Sequence, residues 1–358
     1  MRFDAVLLAS FGGPEGPDEV MPFLEQVTAG RNVPRERLEQ VAEHYLALGG
    51  VSPINGQNRA LLAALRAELV RRQVDVPVLW GNRNAAPTFP QALADARSDG
   101  ARAVVAITTS AYSSYSGCRQ YRENLAAALE DAGLAGILDV RTIRPYGGRP
   151  EFAAAFVPGV VDALTDLLAQ GHSPATIRVL FCTHSLPVSM AGTSGPAESE
   201  RSGLRGYVAG HTVVAERVIA GVVDAGLPAP SWRLVFSSRS GPPHVPWLVP
   251  DVADALAEVA DDDATAVVVV PIGFVSDHME VVWDLDREAA AVARDLGLDF
   301  RRTPTPGTDP GFVSLLADLV VSALRDEDVD TGSAPGAPAC CGEGCCPGPS
   351  VRAAVRAC

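Results

Sequence analysis

The sequence predicts an α/β protein of two similar halves, each a parallel sheet wrapped by helices, with a cleft between them. Three observations carry that prediction. Short apolar, β-branched runs alternate with helical patterns along most of the 358 residues, the pattern of parallel strands joined by right-handed crossovers. Three pairs of segments resemble one another in the same order in the two halves. Ionisable groups gather at strand C-termini in the second half only, where open α/β sheets hold their ligands.

Composition limits the alternatives. Hydrophobic residues make up 47% and charged residues 20% of the chain, a globular composition with ample length for a core. Net charge is -14 and the 29 basic side chains are all arginine. That acidity argues against a nucleic-acid partner, which needs clustered positive charge. No apolar run approaches the roughly 20 residues of a membrane span, and the N-terminal MRFDAVLLAS lacks the basic region and cleavage pattern of a signal peptide. A cytoplasmic chain without a membrane span is the expectation.

In order, a strand over 3–10 ends in the turn Phe11-Gly12-Gly13-Pro14. Helices are predicted over 17–28, 35–47 and 57–72, then a strand VPVLWGNR, a helix from Pro90, a strand AVVAITTS and a helix from Gly117. The second half repeats the alternation: a helix over 150–170, strand IRVLFCT, a loop of small and polar residues, a helix over 210–225, strand RLVFSS, a helix from Pro250, strand AVVVVPIGF and a further helix. The division expected is a first unit over 1–148 and a second over 149–310. Beyond Arg325 the pattern dissolves into Gly, Pro, Ala and Ser, so 327–358 reads as a linker and Cys-rich tail.

The repeat pairs AVLLASFGGP with RVLFCTHSLP, LWGNR with VFSSR, and AVVAITTSAYSSYSG with AVVVVPIGFVSDHME, at separations of 156 to 173 residues. Pro90 and Pro250 are matched as openers of the next helix. Under this alignment His184 replaces Phe11, while His278 and Glu280 replace Tyr115 and Gly117. One wall would do chemistry and the other, with Phe11 and Tyr115, would bind.

His184 follows directly on an apolar strand, where an imidazole serves as structural residue or as general base. Asp277, His278 and Glu280 add carboxylates and a second imidazole, a donor set for a divalent metal or for proton transfer. The HEXXH spacing of a closed zinc site is absent. Glu280, Asp284 and Glu288 recur at i, i+4, i+8, a row of like charges that repel by a few tenths of a kcal/mol per pair. Successive hard oxygen ligands suit handing a metal ion along. The Gly12-Gly13-Pro14 turn lacks both GxGxxG and GxxxxGK[ST], so nucleotide binding is rejected. Cys118 and Cys182 lie in the body; Cys182, on a strand beside His184, reads as packing. Cys340, Cys341, Cys345, Cys346 and Cys358 crowd the tail, and in a reducing compartment they read as metal ligands.

LLASFGGPEGPDEVMPFL, HYLALGGVSPIN, FCTHSLP, SRSGPPHVPWLVPD and PIGFVSDHMEVVWDLDREA, spread in order over the first 310 residues, together resemble the ferrochelatase family. Within it the chain is most similar to the soluble enzymes of Gram-positive bacteria that insert Fe(II), a substrate, into coproporphyrin III on the way to haem. The resemblance implies two Rossmann-like, chelatase-type domains, each with a four-stranded parallel sheet, and a C-terminal helix, about 311–326, packing back on the first. It implies His184 and Glu280 as catalytic, Asp277 and His278 as their neighbours, and Asp284 and Glu288 as a metal path. Ser52 would contact a substrate propionate, with Phe11 and Tyr115 also on the porphyrin side. Several relatives carry Tyr where this chain has Phe11, so an axial contact to product iron would fall to His184 or water. Some ferrochelatases hold a 2Fe-2S cluster with three tail cysteines and one from the body. Here Cys118 is the body candidate and Cys340, Cys341, Cys345 and Cys346 offer more choices than three. A monomer that hands product to the next haem-pathway enzyme is implied too. The rival readings are a protoporphyrin IX ferrochelatase, a cobalt chelatase of sirohydrochlorin, and a non-catalytic porphyrin or haem carrier, which would need no acidic delivery row.

Overall fold

The computed structural model describes residues 3–30, 32–195, 206–241, 244–325, 327, 341, 344–348 and 352–357. Its strands are β1 Ala5–Ser10, β2 Val78–Asn82, β3 Ala103–Thr108, β4 Asp139–Thr142, β5 Ile177–His184, β6 Ser231–Ser237, β7 Ala266–Val270, β8 Asp299–Arg302 and β9 Arg356–Ala357. The helices of the first half are α1 Pro17–Val27, α2 Arg35–Leu46, α3 Pro53–Arg71, α4 Phe89–Ser98 and α5 Gln120–Asp131. Those of the second are α6 Pro150–Ala154, α7 Val157–Ala169, α8 Val188–Gly192, α9 Tyr207–Asp224, α10 Val252–Asp261, α11 Met279–Val281 and α12 Ala290–Asp295, and α13 Pro310–Arg325 follows. Two π-helical segments, Tyr115–Arg119 and Val282–Ala289, lie at matching places after β3 and β7.

All strand pairs in both sheets are parallel, with orders β2-β1-β3-β4-β9 and β6-β5-β7-β8. The halves therefore share one topology, and the register supports the first and third segment matches; in the second it sets Asn82 against Phe236, two residues before the Ser238 that laying LWGNR over VFSSR predicts. Ser10 lies opposite Asn82 as Thr183 lies opposite Phe236, and Leu8 opposite Ile107 as Phe181 lies opposite Val270. Phe11 and His184 are thus equivalent positions. The matched helix openers need correcting too. Asn82 N donates to Pro87 O at 2.7 Å just as Phe236 N donates to Pro250 O at 3.0 Å. Pro87, not Pro90, is the counterpart of Pro250; each precedes the capping residue of its helix, Thr88 or Asp251.

Strands β1 and β7 are buried along their whole length, as parallel strands covered on both faces must be. Alternate side chains serve two different cores. Leu8, Ile107, Phe181 and Val270 face a continuous central core shared by both halves, with α6, α7, α9 and α13. Leu7 and Val104 face an outer core under α4 and α5, and Leu180, Cys182 and Val269 face one under α10 and the π segment. Helix α13 lies against α3 and β3 of the first half and α6 of the second.

The differences from expectation have local causes. Strands β4 and β8 have four residues each and carry charges, too short and polar to show a period. The predicted helix over 150–170 is α6 followed by α7. The stretch Pro150–Ala169 is also long and apolar enough by composition to cross a membrane, contrary to the sequence expectation. Its Phe152, Phe156, Val160, Leu164 and Leu167 are buried in the central core, at the helical spacing that packing demands. The tail contributes β9, a fifth strand beside β4.

The halves are joined by specific polar contacts as well as by core. Asp277 N donates to Gln57 Oε1 at 2.8 Å, and Tyr112 Oη donates to Ile272 O at 3.0 Å. Arg302 bridges Asp277 at 3.1 Å and Asp286 at 2.8 Å with its side chain 16% exposed. Replacing Arg302 with Ala leaves two largely shielded carboxylates without their cation, so Arg302→Ala is expected to cost about 3 kcal/mol in urea denaturation. A loss below about 0.5 kcal/mol, the scale of an ordinary surface change, would remove this residue from the account.

Candidate active site

The second-half site is assembled where β5, β6 and the loop after β7 end together. His184 is the last residue of β5, and its Nδ1 donates to Ser185 O at 2.5 Å. In the neutral ring that bond leaves Nε2 as the bare nitrogen, and Nε2 lies 3.6 Å from Glu280 Oε2. Glu280 stands in the first turn of α11, where His278 is the N-cap and its Nδ1 accepts from Glu280 N at 3.1 Å. Both His184 and Glu280 are part-exposed, so an incoming group can reach them. His278 is a more closed residue: burial is the main cause lowering its pKa, with Glu280 opposing. Its ring meets Phe274 edge-on at 5.0 Å. Capping and neutrality make it a support for Glu280.

The three carboxylates of the acidic row have different partners. Asp284 accepts from Ser238, which sits at φ 62°, a backbone region uncommon for a residue other than glycine. Glu288 accepts from Trp283 Nε1 at 2.8 Å, and the Trp283 ring stacks on His44 at 4.1 Å. The row runs through the π segment, a form frequent at functional sites. Asp277 is set apart from it, its carboxylate taken by Arg302 and Gln57. Helices α1 and α2 close over the inner end with a small core of their own, which includes Phe23, Tyr45 and Met279. Sequence reasoning missed His44, Tyr45, Gln57, Ser238 and Arg302, since only the fold brings them to the row; Ser238 lies in the SRSGPP motif but had no assigned task.

The first-half candidates are placed differently. Phe11 packs edge-on against Phe23 at 6.2 Å with the Arg83 guanidinium 5.5 Å from its ring. Ser52 is buried directly beneath Gly13, where a Cβ on the glycine would collide with it. Tyr115 donates to Glu123 at 3.1 Å, and Gly348 of the tail lies against its ring. These contacts occupy Tyr115 with the tail and not with the His184–Glu280 pair.

Four thiols come together under that tail. Cys118 shares hydrogen bonds with Cys341 and Cys346, Cys341 with Cys345, and the Cys345 and Cys346 sulfurs are 3.9 Å apart. Cys346 Sγ also accepts from Gly195 N of the second half at 3.1 Å. Donation from Cys118 and Cys345 pulls the Cys341 and Cys346 thiols down, and the same bonds, with burial adding to them, push Cys118 and Cys345 up. Among the described residues, no three His, Cys, Asp or Glu side chains converge as ligands of one ion. The four cysteines are free thiols in pairwise contact. Cys340 and Cys358 lie outside the described residues. Cys182 is fully buried, and burial pushes it up to about 12, as an inert packing thiol requires.

Two parallel α/β halves, one of which sets an imidazole at a strand end beside a carboxylate of the next helix, have the architecture of a chelatase-type protein. The chain belongs to the ferrochelatase family, whose family model matches residues 3–324. It is 49% identical over 364 residues to the coproporphyrin III ferrochelatase of Streptomyces coelicolor, covering 99% of this chain and 96% of that one. A protein named ferrochelatase from Rhodopirellula baltica is 47% identical over 325 residues, 90% of this chain and 86% of the relative. Among solved structures, SirB from Bacillus subtilis with Fe3+ aligns with a TM-score of 0.50 at 13% identity, over 89% of this chain and 94% of that one, a likeness of fold.

Asp284 supplies a test of these electrostatics. Burial is the largest cause raising its carboxyl from the usual 3.8 to about 7, Glu280 and Glu288 add to it, and Ser238 and His184 oppose it. An acid whose pKa rises on folding holds its proton more tightly in the native chain, so stability is present at low pH and falls as pH climbs from about 4 to 7. Asp284→Asn is expected to melt above the parent at pH about 8, with the gap closing below pH about 4. A gap that stays constant across that range would show that Asp284 does not titrate there.

Proposed function

We propose that this chain is a ferrochelatase, a lyase that inserts Fe(II) into coproporphyrin III. The observation that carries the reading is the His184 Nε2 to Glu280 Oε2 separation of 3.6 Å at the end of β5, at the head of the acidic row. The names of relatives close to half identical over nearly the whole chain support coproporphyrin III as the substrate.

Metal insertion exchanges two pyrrole N–H protons for one Fe(II). His184 has a bare Nε2 and Glu280 a part-exposed carboxylate, so the pair can take up both protons. Asp284 and Glu288, farther along the π segment, would pass the cation inward. Asp284, raised to about 7, holds a labile proton that an arriving metal ion can displace. A porphyrin bent within the cleft turns its nitrogen lone pairs toward one face, and strain of about 1 to 5 kcal/mol can be drawn from remote binding energy. Ser52 and Phe11 would lie on the porphyrin side. In this reading residues 1–148 with α13 form the porphyrin-side unit and 149–310 the metal-side unit, in a cytoplasmic monomer that hands its product onward.

Anaerobic protein given Fe(II) and coproporphyrin III is expected to form the ferrous chelate, faster than with protoporphyrin IX assayed in parallel. His184→Ala should abolish turnover, and Glu280→Gln should lower kcat by about 100-fold or more, the usual worth of a positioned acid or base. Porphyrin binding with no insertion would leave a carrier. Preference for protoporphyrin IX, or for Co(II) with sirohydrochlorin, would reassign the substrate.

For the tail, the proposal is a 2Fe-2S cluster on Cys118, Cys341, Cys345 and Cys346. Four thiolates are needed, and what supports the fit is the mutual contact of these four sulfurs beside the buried Arg122 and Arg144, whose charges favour the Cys341 thiolate. Such a cluster, when bound, supplies one-electron chemistry and a covalent tie; no insertion step uses it. Protein purified anaerobically is expected to absorb in the visible region, and Cys345→Ser to lose that absorbance. A colourless, iron-free parent would leave the thiols as packing.

A further inference from the structure

Beneath His184 lies a fully buried polar network to which the insertion chemistry assigns no task. His211 on α9 is 0% exposed. Its Nδ1 is 2.8 Å from Tyr207 O and its Nε2 is 3.0 Å from Thr183 Oγ1. Tyr207 Oη is 2.8 Å from the same hydroxyl. A carbonyl oxygen can only accept, so Nδ1 carries the imidazole proton and Nε2 is the acceptor. The chain of donation then has one direction: Tyr207 hydroxyl to Thr183 hydroxyl to His211 Nε2. Burial lowers the His211 pKa to about 3, so the ring stays neutral and the direction does not reverse.

The network also reaches the other half. The Tyr112 ring from the first half stacks on His211 at 3.6 Å and 16°, and its hydroxyl holds Ile272 O. The adjacent Gly273 lies so close that a Cβ there would collide with Thr183. On its other side the chain is held just as firmly, since Ser185 N donates to Ser237 O at 2.8 Å and Ser185 Oγ to Leu248 O at 3.0 Å. Ser185 O is the group that orients the His184 ring.

We infer that Thr183, anchored by Tyr207 and His211 under the stacked Tyr112, is a positioning residue for His184. The network fixes the backbone from which His184 projects, aims its Nε2 lone pair at the Glu280 side, and makes that aim depend on the seating of the two halves. The inference deepens the proposed insertion chemistry and rests on it for its catalytic meaning.

Two readouts keep the claims apart. In histidine-selective 15N spectra of the whole chain, with its 6 histidines, the parent His184 is expected to be protonated at Nδ1 alone. Thr183→Val should shift it toward a mixture of tautomers, and Thr183→Ser should restore it. In anaerobic turnover with coproporphyrin III, Thr183→Val should lose about tenfold in kcat while porphyrin affinity changes by less than about threefold, with rescue by Thr183→Ser. Tyr207→Phe removes one hydroxyl alone and should show the same split in smaller degree, whether or not the valine variant folds. Unchanged His184 resonances in both variants, or parallel losses of kcat and affinity, would overturn the inference. A parent that inserts no iron would sink the insertion reading, and the spectra would still decide the positioning role.

Discussion

The pairing of Asp277 with Arg302, shared with Asp286 and tied across to Gln57, is the interaction on which the site most depends. It holds the loop after β7 at the seam of the two halves, and that loop leads into the His278 cap and then Glu280. An ion pair so largely shielded is weak evidence of net stability. Its value lies in fixing position. With it, the loop carries a charged anchor beside the neutral ties that reach it from the first half, Asp277 N to Gln57 and Ile272 O to Tyr112. Asp277 is acidic and next to the chemistry, yet its task is geometric.

Much of this arrangement was legible in the sequence. The strand–helix alternation, the repeat and the family motifs led to the topology, and the sheet register supports the repeat to the residue at Phe11 and His184. Glu280, Asp284 and Glu288 lie near enough for both glutamates to raise the Asp284 carboxyl. What sequence could not convey was the fate of each carboxylate, since partners such as Ser238, Trp283 and Arg302 are brought in by long-range folding. The short strands β4 and β8 escaped because few polar residues carry no period. Tyr115 was placed on the binding wall by its alignment with His278, and that alignment holds for the backbone. Its side chain was captured by Glu123 and the tail, a competition invisible without coordinates. The tail read as linker and module because its composition lacks periodicity, and β9 is too short to supply any.

The comparison of the two halves shows how one topology supports two kinds of surface. Both place a turn after their first strand and a π segment after their third. In the first half these positions carry Phe11, Tyr115 and Gly117, absorbed into packing; in the second they carry His184, His278 and Glu280. The backbone tolerates either set. The ionisable groups stand on one half and the aromatic, uncharged ones on the other, over one scaffold.

The short strand β9 has a consequence of another kind. A parallel sheet ending in β4 would present a row of unpaired amides and carbonyls to solvent, the template on which a second chain can add itself. Arg356 and Ala357 occupy part of that row, and Arg122 holds Val355 beside it through its main chain and guanidinium. The chain thus covers part of that edge with a strand of its own tail. Solubility as well as any metal content would be at stake in a truncation of the tail.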